Sequence, residues 1–503
     1  MIEVDARAAA RKRGILGALG LLAGVAVWQL APLPGQAAAM AGIATWMATW
    51  WLSEVVPIPV TALLPLVLLP AFGIEKLGAV GANYGKPVIF LFLGGFLLAL
   101  GLEETGLHRR VALGIVARVG DRPRRLVLGF MAASALGSMW ISNTATTMVM
   151  LPIAMSVLTT GPRAEGDDRL GPAVMLGIAY ASSIGGMATL VGTAPNLVLV
   201  DQLRTLFPTA PPLGFAQWLL FGLPLATLFV LGGWLMLVYP IFRVPASGSG
   251  VDPRAVRAEL AALGPWRPDE RVAAAVFCAV ALLWVTGSDL RLGDAFTLRG
   301  WRGATGLREL GDGAVAIAGA VVLFVLPSRE RPGESLLTWQ ATSRLPWGLL
   351  LLFGGGFALA AGFGKSGLSD AIGSSLEGLA GTAPLVAVTT VCIALTSLTE
   401  LTSNTATTTL VLPILARVGV AIGLDPRALM IPATLSASCA FMMPVATPPQ
   451  AIVFGSGRVS IGQMVRAGIW FNLLGVVLVV LLFRLLGGPI FGIEWGGLPA
   501  FAK

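Results

Sequence analysis

The sequence predicts an all-α polytopic membrane protein built as an inverted repeat, and three observations predict it. Of 503 residues, 56% are apolar and 12% charged, against about 25% charged in a soluble domain. Apolar runs of spanning length recur from end to end. The hexapeptide Ser142-Asn143-Thr144-Ala145-Thr146-Thr147 returns 261 residues later as Ser403-Asn404-Thr405-Ala406-Thr407-Thr408. Each copy is a polar island in an apolar run, followed at one distance by Leu-Pro-Ile (151–153 and 412–414). Finally, residues 109–125 carry six Arg, whereas 370–386 carry only Asp370 and Glu377. Basic loops face the cytoplasm, so the two halves face opposite ways.

The segments follow in order. Residues 1–13, with Arg7, Arg11, Lys12 and Arg13, read as a cytoplasmic, membrane-surface segment. Residues 14–30 are long for the apolar core of a cleaved leader and lack a distinct small-x-small site, so they read as a retained span. Spans are expected at 14–31, 37–53, 57–73 and 86–102, then a basic amphipathic stretch at 103–125. Residues 126–162 contain no charge but hold the first island at their middle. Each arm is about 16 residues, short of the roughly 20 needed to cross, so a re-entrant hairpin is expected. A span at 172–200 is expected to break at 191–196, Val-Gly-Thr-Ala-Pro-Asn, where Gly and Pro weaken a helix. A span at 215–242 and a polar linker at 243–271 close the first half.

The second half repeats the plan. Spans are expected at 272–287, 313–328 and 346–363, a polar stretch at 364–383 and a second hairpin at 384–416. A span at 428–455 should break at 445–450, and a last span covers 467–487. Eleven spans place the N-terminus inside and the C-terminus outside. The repeat extends beyond the islands. At the same offset, eight of fourteen positions from Gly94 to Leu107 are identical to Gly355–Leu368. The two breaks align at an offset of 254. Inverted repeats with paired broken helices place a binding site at the repeat interface in secondary transporters.

Composition excludes other classes. The net charge of +8 lies in short loops, as a membrane protein's does, and gives no reason to expect nucleic acid. One His and three scattered Cys cannot build a metal cluster or catalytic dyad, and no nucleophile–base set appears, so an enzyme is not expected. Gly354-Gly355-Gly356 lacks the Lys-Ser/Thr of a phosphate loop and reads as close helix packing. Glu54 sits at a span end and reads as structural. Glu400 reads either as structural or as a proton-coupling carboxylate.

The islands suit an anion. Asn, Ser and Thr supply donors and acceptors, and each hairpin's second arm begins at its tip with about half a positive charge. Two such ends do not balance a dicarboxylate. No Lys or Arg occurs in 126–162, 172–200, 387–416 or 428–457, and the only charge there is Glu400. Further positive charge must be imported, and Na⁺ held by hydroxyl, amide and freed carbonyl oxygens is the natural source.

At these residues the sequence resembles the divalent anion/sodium symporter family, also called the sodium-dicarboxylate or INDY type. The paired Ser-Asn-Thr motifs, Gly-Thr-x-Pro-Asn at 192–196 and Ala-Thr-Pro-Pro at 446–449 carry the resemblance. It implies eleven spans with two re-entrant hairpins, a homodimer, and an elevator motion of a transport domain against a scaffold. The implied division is a cytoplasmic segment 1–13, scaffold 14–125, first transport repeat 126–242, linker 243–271, scaffold 272–383, second transport repeat 384–487 and tail 488–503. One Na⁺ site would use Ser138, Ser142, Asn143 and Gly192, and a second Thr399, Thr402, Asn404 and Ala446. Two or more Na⁺ would couple. Substrate would meet Asn143, Thr144, Asn404 and Thr405, with Thr193, Thr447 and Pro448 nearby. Gln450 stands where the family often has Asn, and Ala194 where Pro is common.

The expected function is Na⁺-coupled symport of C4-dicarboxylates such as succinate, malate or fumarate across the cell membrane. The alternatives are a Na⁺-independent exchanger, or the same carrier with citrate or sulfate. An anion channel fits least, because paired hairpins close one site from opposite sides.

Overall fold

A helix runs from Ile2 to Leu30 (α1) and packs on α2 (Gly35–Ser53) in the computed structural model, which describes residues 2–119, 122–158, 169–246, 253–292, 296–307, 309–375 and 383–503. Side chains are described within these except at 2–13, 253–255, 290–298 and 373–375. Helix α2 ends where Glu54 takes a left-handed backbone, φ 47°. The span expected at 57–73 is instead two helices, α3 (Ile58–Thr61) and α4 (Leu64–Ala71). Pro59 and Pro65 each stand in the first turn, where a missing N–H is harmless, and restart the helix. Helix α5 (Leu77–Ala82) leads to α6 (Pro87–Glu104).

The basic stretch forms α7 (Leu107–Val119), and the first hairpin is α8 (Pro123–Ser138) and α9 (Asn143–Leu158), with residues 159–162 outside the described set. The first broken helix is α10 (Leu170–Gly186) and α11 (Ala194–Leu206), followed by α12 (Phe215–Met236). The segment expected as a linker contains a helix, α13 (Pro253–Ala262), and α14 (Pro268–Val285) starts within it. A short antiparallel β-hairpin, Leu290–Leu292 with Phe296–Leu298, follows in an otherwise helical chain. Then come α15 (Trp301–Thr305), α16 (Asp312–Val325), α17 (Trp347–Lys365) and α18 (Leu368–Ser375). The second hairpin is α19 (Pro384–Thr399) and α20 (Asn404–Ala421), the second broken helix α21 (Arg427–Ala437) and α22 (Pro448–Gly455). The last helix, α23 (Ile461–Phe491), is longer than the expected 467–487 and takes in part of the tail.

Both breaks begin earlier than the prolines suggest. Pro195 and Pro448 sit in the first turn of the restarting helices, so unwinding covers 187–193 and 438–447. The reason is that Pro lacks an N–H that a helix start does not need, so it marks resumption.

The repeat is visible in the backbone. Helices α6 and α17 both end on a left-handed glycine with φ 76°, Gly106 and Gly367, 261 residues apart. A side chain disfavours this conformation and glycine does not. The restart caps match too, with φ −144° at both Thr193 and Thr447. The larger apolar core runs through the hairpins and broken helices, and a smaller one joins α2, α4 and α17. The repeats interlock: α9 packs on α22, and α11 on α20. Four stretches have the length and apolarity to cross a bilayer, Leu77–Glu104, Phe215–Ile241, Trp347–Lys365 and Ile461–Phe491, and shorter apolar helices accompany them.

Arg110 ties α7 to the start of α14. Its Nε donates to Glu270 Oε2 at 2.8 Å, and its Nη atoms donate to the carbonyls of Leu263, Gly264 and Pro265 at 2.8–3.1 Å. Removing one partner of a buried pair costs about 3–5 kcal/mol. Arg110→Ala is therefore expected to lower the thermal unfolding temperature of the purified protein sharply. Arg109→Ala, which removes a half-exposed ion pair with Glu259 at 3.4 Å, should cost about 1 kcal/mol or less. Equal melting of the two variants would remove the anchoring role.

Candidate functional site

Four helix starts, Asn143, Ala194, Asn404 and Pro448, belong to the interlocked pairs, and each brings partial positive charge to the tip or unwound segment before it. The serine of each island caps its helix: Ala145 N donates to Ser142 Oγ at 3.2 Å and Ala406 N to Ser403 Oγ at 3.4 Å. Ser is a preferred N-cap because its oxygen takes an otherwise unpaired N–H. Ser142, expected as a cation ligand, thus has its hydroxyl engaged as a cap.

Around Gly186 the structure brings three of the four expected first-site residues together. Ser138 Oγ donates to Asn143 Oδ1 at 2.6 Å. A Cβ on Gly186 would stand 2.7 Å from Asn143 Oδ1 and 3.0 Å from Gly192 O. Two carbonyl-type oxygens therefore converge over a residue with no side chain to separate them. This is an oxygen cradle of the kind that a hard cation takes.

The second site is arranged differently. Asn404 Oδ1 is buried without a partner. Thr399 is fully buried, and its hydroxyl donates back to Leu395 O at 2.9 Å. Thr402 Oγ1 donates to Leu398 O and lies 2.7 Å from Thr407 Oγ1. Ala446 is buried in the break. Among the described residues no hydrogen bond joins Thr399, Thr402, Asn404 and Ala446 to one another, so the unpaired Asn404 oxygen is the atom there that fits a cation. Of the expected substrate contacts, Thr144 and Thr193 are half-buried, Thr405 and Thr447 are buried, and Pro448 is exposed.

Each break is clamped by an amide at one equivalent position. Asn196 Nδ2 donates to Gly186 O at 3.2 Å and Thr189 O at 2.7 Å. Gln450 Nε2 donates to Ala440 O, the repeat equivalent of Gly186 O, at 2.5 Å. Gln450 thus performs the amide clamp with one more methylene, and Thr447 Oγ1 donates to its Oε1.

Each hairpin tip is also bonded to its break. In the first repeat Thr189 Oγ1 donates to Met139 O at 2.5 Å and accepts from Gly192 N at 3.0 Å. In the second, the position equivalent to Met139 is Glu400. Its carboxylate is 2% exposed and accepts from the backbone N–H groups of Phe441, Met442 and Met443 at 2.7–3.1 Å. Asn472 Nδ2 on α23 donates to it at 2.7 Å. Every partner is a donor, which is the pattern of an anchor rather than of a relay. Thr189, Asn472 and Gly186 escaped the sequence reading. Their contacts cross dozens of residues, although the alignment of Thr189 with Met443 marked a polar–apolar exchange at the break.

One further polar contact carries charge: Lys86 Nζ, at the start of α6, lies 3.0 Å from Asp201 Oδ2 and 2.7 Å from Thr205 Oγ1 on α11.

The sodium:sulfate symporter transmembrane region matches residues 18–493. The chain is 38% identical over 488 residues to the sodium-dependent dicarboxylate transporter SdcS of Staphylococcus saprophyticus, covering 95% of this chain and 92% of the relative. The SdcS protein of Staphylococcus aureus is 38% identical over 490 residues, with the same coverage. The fold is shared with the Alcanivorax borkumensis YdaH transporter (TM-score 0.57, 16% identity, 82% of this chain and 88% of that one). It is shared also with Neisseria gonorrhoeae MtrF (TM-score 0.57, 14% identity, 92% and 96%).

Glu400→Gln exchanges one acceptor oxygen for an N–H aimed at backbone N–H donors, at a cost of about 3 kcal/mol. It should lower the melting temperature and speed amide exchange at Phe441–Met443. Met139→Leu should leave both within about 1 kcal/mol of the wild type. Unchanged amide protection in Glu400→Gln would disprove the anchor.

Proposed function

The chain belongs to the sodium:sulfate symporter family, and from that premise we propose that it is a secondary carrier moving C4-dicarboxylates such as succinate, malate or fumarate into the cell together with Na⁺. One observation carries the reading. The site gathers oxygen donors and helix starts, yet its four segments contain no Lys or Arg. A doubly charged anion is held there only if mobile cations enter with it. The dicarboxylate is preferred over sulfate because the relatives at 38% identity are named for dicarboxylates. Sulfate stays as the second reading because the family description names it.

One Na⁺ would lie among Ser138 Oγ, Asn143 Oδ1 and Gly192 O. A second would use Asn404 Oδ1 with Ala446 O and the Thr399 and Thr402 hydroxyls. The substrate carboxylates would meet Asn143, Thr144, Asn404 and Thr405, bordered by Thr193, Thr447 and Pro448. Order follows from charge: cations neutralise the oxygen cradle first, and the anion then meets a positive site. Helices α8–α12 and α19–α23 would move as one elevator body against a homodimeric scaffold of α1–α7 and α13–α18. The interlocked packing of α9 on α22 and α11 on α20 supports treating them as one body. The Lys86 bond to Asp201 and Thr205 would then cross between the bodies. An inside N-terminus and an outside C-terminus complete the arrangement, supported by the Arg-rich 109–125 segment.

The test is labelled succinate uptake into proteoliposomes under an inward Na⁺ gradient, without Na⁺, and without Na⁺ but with succinate preloaded inside. Uptake that follows the gradient alone is expected. Uptake that needs internal succinate and ignores Na⁺ would make the protein an exchanger. Asn143→Ala and Asn404→Ala should abolish uptake while the protein stays folded. Gly186→Ala puts a methyl against Asn143 Oδ1 and should raise the Na⁺ concentration for half-maximal uptake about tenfold, equivalent to about 1.4 kcal/mol. An unchanged Na⁺ response would remove Gly186 from the site.

A further inference from the structure

The C-terminal end of α12 meets the start of α8, and an arginine is fixed where they meet. The carbonyl of Arg124 accepts from Trp234 Nε1 at 2.8 Å, and its Nε donates to Val244 O at 2.7 Å. Its guanidinium lies 4.5 Å from the centre of the Tyr239 ring. An arginine at a membrane edge needs only to be charged and wet, whereas this one is held at each of these points. Its two Nη groups are left over: among the described residues they have neither a hydrogen bond nor a carboxylate partner. Further positive charge accompanies it. Arg122 and Arg125 flank it in the chain and are exposed, as is Arg243 beside Val244, and among the described residues none of them has an acidic partner. Arg243 takes a left-handed backbone, φ 50°, just after the π turn Leu237–Ile241 that follows α12. Glycine is the usual residue for that conformation at a helix end, so the chain holds a cation where backbone geometry alone would favour glycine.

The outer face of α12 leads up to this cation. Leu228, Leu231, Leu235 and Tyr239, three or four residues apart, are each 41–48% exposed. That spacing places them along one stripe, on a stretch long and apolar enough to cross a bilayer. Along the stripe the surface passes from carbon to phenol to guanidinium. We propose that this end of α12 binds an anionic phospholipid, its phosphate on the Nη edge of Arg124 and its acyl chain along Leu235, Leu231 and Leu228. Arg takes phosphate through two parallel N–H bonds. Tyr favours the level of the lipid headgroups, and each Arg near an anionic surface adds to the attraction. Inorganic phosphate would find the same fork but leave the apolar stripe uncovered, so the lipid is the occupant that the whole site fits. This inference does not depend on which solute the carrier moves.

The test is native mass spectrometry of the detergent-purified full chain, titrated with phosphatidylglycerol or phosphatidylcholine, each with and without inorganic phosphate. Phosphatidylglycerol should bind about fivefold more tightly than phosphatidylcholine, the effect of one Arg at an anionic surface. Arg124→Gln removes the fork and should weaken phosphatidylglycerol about tenfold, as the loss of a charge-assisted pair does. Arg243→Gln should weaken it about fivefold, and its exposed position lets it decide the matter should Arg124→Gln not fold. Arg329→Gln removes an equal charge from an exposed residue beside the start of α14 and should change nothing. Equal binding of the two lipids overturns the proposal, as does unaltered phosphatidylglycerol binding in Arg124→Gln. A loss in Arg329→Gln as large as in Arg124→Gln would mean diffuse surface charge, and displacement of the lipid by inorganic phosphate would mean a free-phosphate site; either overturns it too. No arm requires transport, so a failed uptake assay leaves this test intact.

Discussion

Unwound backbone inside an apolar fold must find a partner for every N–H and C=O, and the rest of this structure depends on that requirement. The segments 187–193 and 438–447 expose carbonyls that a cation site needs, yet most of their polar groups are bonded elsewhere. Trp218 takes Met187 O, Asn196 takes Gly186 O and Thr189 O, and Gln450 takes Ala440 O. Glu400 takes three N–H groups in succession. Among the oxygens that remain at the candidate site are Gly192 O, beside the gap at Gly186, and Asn404 Oδ1, which has no partner. Specificity in such a place comes from how few groups remain unbonded.

The architecture was legible in the sequence because duplication leaves a signal that needs no structure to read. The Ser-Asn-Thr islands, the common offset and the Arg-rich 109–125 segment located both hairpins, and their arms began and ended within a few residues of expectation. Extents were less legible. Pro195 and Pro448 looked like breakers, but proline is also a good first residue, and the unwinding lay upstream of both. Pro59 and Pro65 likewise divided a span that periodicity alone had joined. The caps could have been read: a Ser directly before an apolar run is a helix-start signal, and it competes with the assignment of Ser142 as a ligand. Glu400, Thr189 and Asn472 could not be placed, because their partners are fixed only by three-dimensional packing.

The two repeats solve the same problem with different chemistry. The first hairpin tip meets its break through a backbone carbonyl and a threonine, the second through a carboxylate. Thr407 has Thr402 as a partner, while the position equivalent to Thr402 is Ile141, and the hydroxyl of Thr146, the equivalent of Thr407, is buried without a partner. Asn143 Oδ1 is engaged by Ser138, whereas Asn404 Oδ1 is not engaged at all. The symmetry is therefore one of backbone, and the side chains have diverged within it.

That divergence gives the molecule an internal reference. Each half records a set of side chains that a given backbone position accepts, tested against the same surroundings in the same chain. Thr402 shows that a hydroxyl is tolerated where Ile141 now stands. Asn196 and Gln450 show that the clamp accepts two side-chain lengths. Transplanting one half's choices into the other asks which differences the protein's activity needs and which are drift.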